Sequence, residues 1–90
     1  MYNISIVYDK PGTRELIIKA PSKKHPFIQF FDMNTVEGKK NGYKVKSTWG
    51  AKANPFVLIE EGDTPIKCFY SEYDWKDDAV EQLLNWLKDA

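Results

Sequence analysis

Four consecutive apolar residues, Phe56, Val57, Leu58 and Ile59, stand directly behind Pro55. An unbroken apolar run of that length is the pattern of a strand covered on both faces, and a proline at its start forfeits little because it has no ladder hydrogen to donate. Residues 56–60 are therefore expected as the central strand of a small sheet. Glu61, Gly62, Asp63 and Thr64 supply a turn, and Ile66 to Ser71 returns as a partner strand, with Ile66, Cys68 and Tyr70 on one face and Lys67, Phe69 and Ser71 on the other. Further on, Val80, Leu83, Leu84 and Leu87 recur at the spacing of a single buried stripe. That spacing predicts an amphipathic C-terminal helix, capped by Asp74 or Asp77 and running to Lys88.

The first half alternates less cleanly. Tyr2 to Tyr8 places Ile4, Ile6 and Tyr8 on one face, which predicts a strand. Asp9, Lys10, Pro11 and Gly12 form a turn, and Arg14 to Ala20 is a second β-type run, so residues 2–20 are expected as a hairpin, with a short helix over Thr13 to Lys19 as the alternative. Pro21 to Pro26 reads as a loop. Phe27 to Met33 satisfies both periods, and its aromatic content behind His25-Pro26 favours a strand. Asn34 or Thr35 can cap a helix to about Trp49, with Val36, Tyr43 and Trp49 turned inward and Lys39, Lys40, Lys44 and Lys46 outward. Gly38 and Gly42 oppose that helix by about 1 kcal/mol each relative to alanine. The alternative makes Asn41-Gly42 a hairpin turn.

Composition narrows the class. Ninety residues that are 42% hydrophobic, with three tryptophans, make one domain over residues 1–90 with a single core. Net charge is zero but unevenly placed. Up to Ile59 there are ten Lys or Arg against four Asp or Glu; from Glu60 onward there are three against nine. Such polarity suits head-to-tail contact between copies or docking on a charged partner, and it also suits two halves that face each other in one fold. Cys68 is the single cysteine, which excludes an intramolecular disulfide, a CxxC pair and a cysteine metal cluster. No apolar run reaches the roughly 20 residues of a membrane span, and MYNISIVYDK lacks the features of a signal peptide, so a cytoplasmic protein that does not enter membranes is expected.

The order helix, Trp49-Gly50-Ala51-Lys52-Ala53-Asn54-Pro55-Phe56, strand, Gly62-containing turn, strand and C-terminal helix resembles the second half of a thioredoxin-like domain. The likeness covers roughly residues 34–88. It implies a small thioredoxin-like α/β domain: a mixed sheet with an N-terminal hairpin, a central strand led by a cis proline, Pro55, and a closing helix. Thioredoxins carry CxxC at the start of a helix after the first strand. Nothing between Met1 and Pro26 contains a cysteine or an obvious helix of that length, so the first half departs from the family pattern and the resemblance implies a redox-inactive member.

Candidate chemistry is sparse. His25 is the only histidine and lies in a lysine-rich loop; the carboxylates lack calcium-loop spacing, no phosphate-binding glycine run exists, and Ser47 and Ser71 have no adjacent base. No catalytic residue, metal or cofactor is expected. Two binding features stand out. Phe69, Tyr70, Tyr73 and Trp75 are more aromatic than a strand-to-helix junction needs and suit a protein-contact anchor. Lys39, Lys40, Tyr43, Lys44, Lys46, Trp49 and Lys52 interleave cations with rings, an arrangement that can track a phosphate backbone while stacking bases, although charge runs are more often one solvated helix face. The expected function is a non-enzymatic interaction or structural module that meets a protein partner or itself, including as a subunit of a larger assembly, a viral one among them. The alternatives are a nucleic-acid binder using residues 39–52 and a single-thiol redox enzyme using Cys68 beside Pro55.

Overall fold

A computed structural model describes residues 1–89. The chain is a small α/β domain with the element order β1 (Tyr2–Tyr8), α1 (Thr13–Lys19), β2 (Phe27–Asp32), α2 (Val36–Trp49), β3 (Phe56–Glu61), β4 (Thr64–Tyr70) and α3 (Asp78–Lys88). The four strands form one mixed sheet in the order β2-β1-β3-β4. β1 pairs with β2 in parallel and with β3 antiparallel, and β3 pairs with β4 antiparallel. Among the described residues no helix is long and apolar enough to cross a membrane.

β3 lies inside the sheet, and its apolar run is divided between two layers. Val57 and Ile59 join Ile4 and Ile6 against Ile17 of α1 and Val80, Leu83 and Leu87 of α3, whereas Phe56 and Leu58 join Val7 and Met33 against Val45 of α2. Alternate side chains of a strand point to opposite faces, so each half of the run needs its own helical cover. The C-terminal stripe is also as expected: Ala79, Val80, Leu83 and Leu87 are buried, Leu84 partly so. The Asn54–Pro55 peptide bond is cis.

The expected hairpin over 2–20 is corrected. The chain turns at Asp9 to Gly12, but the returning arm is α1 and the partner of β1 is β2. Parallel strands cannot be joined by a tight turn and require a crossover, which α1 provides. Only Thr13 and Ile17, one turn apart, are buried in α1, while Leu16 and Ile18 are exposed. A run with so much outward apolar surface mimics β patterning without being a strand.

α2 forms as a helix, and the Asn41-Gly42 hairpin does not. Thr35 caps it by accepting the Gly38 N–H at 3.0 Å, and Gly50, in the left-handed region at φ 69°, closes it with its N–H to the carbonyls of Lys46 and Ser47. Its inward face is the reverse of expectation. Val36, Tyr43 and Trp49 are exposed, Val36 at 90%, while Gly42 and Lys46 are buried. The glycines are what let this helix approach the sheet. A Cβ on Gly42 would stand 2.5 Å from Met33 Sδ and 3.0 Å from Val7 Cγ1, and one on Gly38 would overlap the Asp32 carbonyl oxygen. At Gly38 and Gly42 the contact surface of α2 is bare backbone, with Val45 packing beside it, and the aromatic side chains Tyr43 and Trp49 are left on the outside.

Candidate functional site

The antiparallel registers align Val7 with Phe56 and Phe56 with Tyr70. The end of β1, the start of β3 and the end of β4 therefore lie side by side, and the loops that follow or precede them gather at one end of the sheet. Asn54 is the hub there. Its side-chain oxygen accepts from Lys46 Nζ at 2.7 Å, its backbone N–H donates to Asp74 Oδ1 at 2.8 Å, and its side-chain amide donates to Asp9 Oδ2 at 3.4 Å. Asp9 is held in turn, its carbonyl accepting from Asn34 Nδ2 at 2.6 Å. Lys10 and Asp77 pair at 2.6 Å across the same end. Five stretches, 9–10, 34, 46, 54 and 74–77, are thus tied into one polar joint.

Lys46 is the unusual member, since it is 4% exposed and its ammonium lies 5.5 Å from the centroid of the Tyr43 ring. Burial pushes its pKa below the ordinary 10.5, and the negative charges of Asp74 and Asp9 act in the opposite direction. The outward placement expected for Lys46 is therefore corrected. A charged head can enter a protein only where acceptors or counter-charges meet it, and this joint supplies both. Lys39, Lys40, Lys44 and Lys52 are exposed as expected, with Tyr43 and Trp49 beside them rather than inside. The basic-aromatic stretch thus loses one of its five cations to the interior.

The aromatic group divides. Phe69 is 7% exposed and belongs to the core under α3, so its expected partner role is corrected. Tyr70, Tyr73 and Trp75 are exposed, Trp75 at 76%. Tyr73 and Trp75 stack almost parallel, with centroids 5.4 Å apart and 3° between planes, and Lys76 Nζ sits 5.5 Å and 5.1 Å from their centroids. The loop that carries them is anchored on both sides. Asp74, between the two rings, accepts from the Asn54 backbone; Ser71 donates its N–H to the Pro55 carbonyl and accepts the Ala79 N–H on its hydroxyl at 3.1 Å. Asp77 occupies the N-cap position of α3 without a capping hydrogen bond, its carboxylate being taken by Lys10.

An apolar groove of about 460 Å³ opens beside Tyr70, lined also by Trp49, Gly50, Ala51, Phe56 and Cys68. Burial pushes the Cys68 thiol up from its ordinary value, so it carries little thiolate at neutral pH, and no base lines the groove with it. His25 lies in the loop before β2, at a left-handed φ of 46°. Among the described residues no group of three His, Cys, Asp or Glu is placed to hold a metal ion.

Sequence reasoning named the aromatic residues and Pro55 but missed the joint. Asn54 and Asp9 are 45 residues apart and Asn54 and Asp74 are 20 apart, and each looks like ordinary loop chemistry alone. The one available clue was a lysine at a helix position four residues after a packed glycine, Gly42 to Lys46, which places it on the same face. Compared with protein-family models, curated proteins and solved structures, the chain matches none.

Proposed function

We propose that the chain is a non-enzymatic protein-interaction module on a redox-inactive, thioredoxin-like fold, a subunit of a larger assembly, whose contact anchor is the Tyr73–Trp75 pair. The observation that carries this reading is the combination of exposure with anchoring: two large rings face solvent on a loop hydrogen-bonded through Asp74 and Ser71 to buried structure. Rings held this way lose little freedom on binding, which is how aromatic residues become the dominant contributors to an interface. The thioredoxin-like part of the proposal is supported by the element order, with a proline directly before β3 and a short helix, α1, after β1 where that family has its helix. In the segment leading into α1, Asp9-Lys10-Pro11-Gly12-Thr13, this chain has no thiol.

The test is comparative capture from the source organism followed by mass spectrometry, with the wild type beside Tyr73→Ala/Trp75→Ala. Trp75→Ala is expected to weaken binding to the captured protein by about 2 kcal/mol, while the stability of the free chain changes by no more than about 0.5 kcal/mol. Capture that is identical for wild type and double variant sinks the proposal. Self-association is the same reading with a second copy as partner, and light scattering across a salt series separates it from a heterologous complex.

A further inference from the structure

β4 ends the sheet, so its outer backbone edge is unpaired. Its first residues are unsuited to accept another strand, because Pro65 has no N–H and the ladder to β3 is irregular between Ile59 and Glu60. The irregularity falls on Ile66, since Ile59 pairs with Lys67 and Glu60 with Pro65, and the stretch Lys67 to Tyr70 carries neither obstacle. Two grooves meet its Tyr70 end, one on the α2 side and one against α3. On the α2 side is the apolar groove walled by Trp49, Phe56, Cys68 and Tyr70. On the α3 side a second groove, about 530 Å³, is lined by Tyr70, Glu72, Asp78, Glu81, Gln82 and Asn85, with three carboxylates and no cation among its lining residues. Glu72 has Lys76 only at 3.8 Å, both side chains being solvated.

We propose that the β4 edge from Lys67 to Tyr70 docks an extended peptide segment of a partner protein in which apolar and basic residues alternate. This rests on the interaction reading and deepens it. Successive side chains of an added strand point to opposite faces, so one set enters the apolar groove while the other reaches the carboxylates, and main-chain hydrogen bonds to the open edge supply the rest. Charge fixes the register. Lys67 faces the α3 side two residues before Phe69, with its ammonium 6.0 Å from the Phe69 ring, so the partner's cations belong at the Tyr70 end.

The experiment uses the full chain, isotope-labelled, titrated with a seven-residue peptide alternating lysine and valine, its glutamate–valine counterpart, and the lysine–valine peptide with alternate backbone amides methylated. Expected are saturable shifts with slowed amide exchange confined to residues 66–72, no binding of the acidic peptide, and loss of affinity on methylation. Glu72→Gln and Glu81→Gln, which keep side-chain shape on exposed positions, should each weaken binding about threefold to fivefold, an effect that fades with added salt. Equal binding of the acidic peptide, indifference to methylation, or no shifts with millimolar lysine–valine peptide overturns the proposal. So does slowed exchange over 66–72 in the chain alone at high concentration, which would make a second copy the occupant. If these tests fail while Tyr73→Ala/Trp75→Ala still abolishes partner capture, the interaction reading stands and the β4 assignment falls.

Discussion

Asn54→Ala is expected to destabilise the fold by about 3 kcal/mol, whereas Lys46→Met costs about 1 kcal/mol. The asymmetry follows from what each change leaves behind. Without the Asn54 side chain, the ammonium of a lysine that is 4% exposed as a residue loses the oxygen that accepts its hydrogen bond at 2.7 Å. Without the Lys46 ammonium, only a neutral amide oxygen is left short of a donor, and methionine fills much of the same volume. The double variant should therefore be more stable than Asn54→Ala alone, a sign reversal that additive effects cannot give. Urea denaturation of the four proteins supplies the cycle. Equal losses for the two single variants would show that Lys46 is satisfied elsewhere.

The same lysine sets a pH trend. Because its pKa is lowered on folding, the unfolded chain binds its proton more tightly, and stability from this group rises as pH climbs toward the ordinary 10.5. Cys68 and Tyr8 act oppositely. Burial raises both, so the unfolded chain gives up their protons first and stability falls as pH passes their ordinary values of 9.0 and 10.0. The Lys46 contribution is read as the difference between wild type and Lys46→Met, which should widen in favour of the wild type as pH rises toward the ordinary 10.5.

Gly38→Ala is expected to cost about 2 kcal/mol, although alanine is favoured over glycine by about 1 kcal/mol inside a helix. The added methyl would overlap the carbonyl oxygen of Asp32 and stand 2.8 Å from its carbon, and this is backbone that also receives the Thr35 N–H and hydroxyl. It cannot move without loosening the cap of α2. Gly42→Ala meets side chains instead, Met33 Sδ and, at 3.0 Å, Val7 Cγ1, which can yield where backbone cannot, so the helix propensity offsets part of the crowding and the change should stay within about 1 kcal/mol. A stabilised Gly38→Ala protein would mean that α2 rides further from the sheet than described.

What could be read from the sequence was whatever large apolar side chains announce. β3 was legible because four such residues in succession have nowhere to go but a doubly covered strand, and α3 because its leucines share one face. α1 misled because the sheet asks so little of it: Ile17 packs inward while Leu16 and Ile18 stay in solvent. α2 misled more deeply. Its inner face is built from glycine, Val45 and a lysine whose head reaches Asn54, so hydrophobic pattern pointed to the wrong side of the helix and turned Lys46 from a joint residue into a surface charge. The aromatic residues were found by composition, yet only the alternation along β4 with the placement of α3 separates buried Phe69 from exposed Tyr70. The joint itself was out of reach, because it depends on loops that meet only after the strands have been put in register.

Preorganisation of the Tyr73–Trp75 loop by Asn54 and Asp74 is what links this polar joint to binding, and backbone relaxation of the amides from Glu72 to Lys76 measures it most directly. Order parameters near about 0.85, falling below about 0.6 in Asp74→Ala, are the predicted result. Values already below about 0.6 in the wild type would contradict it, since the rings would then be ordered only by whatever they meet.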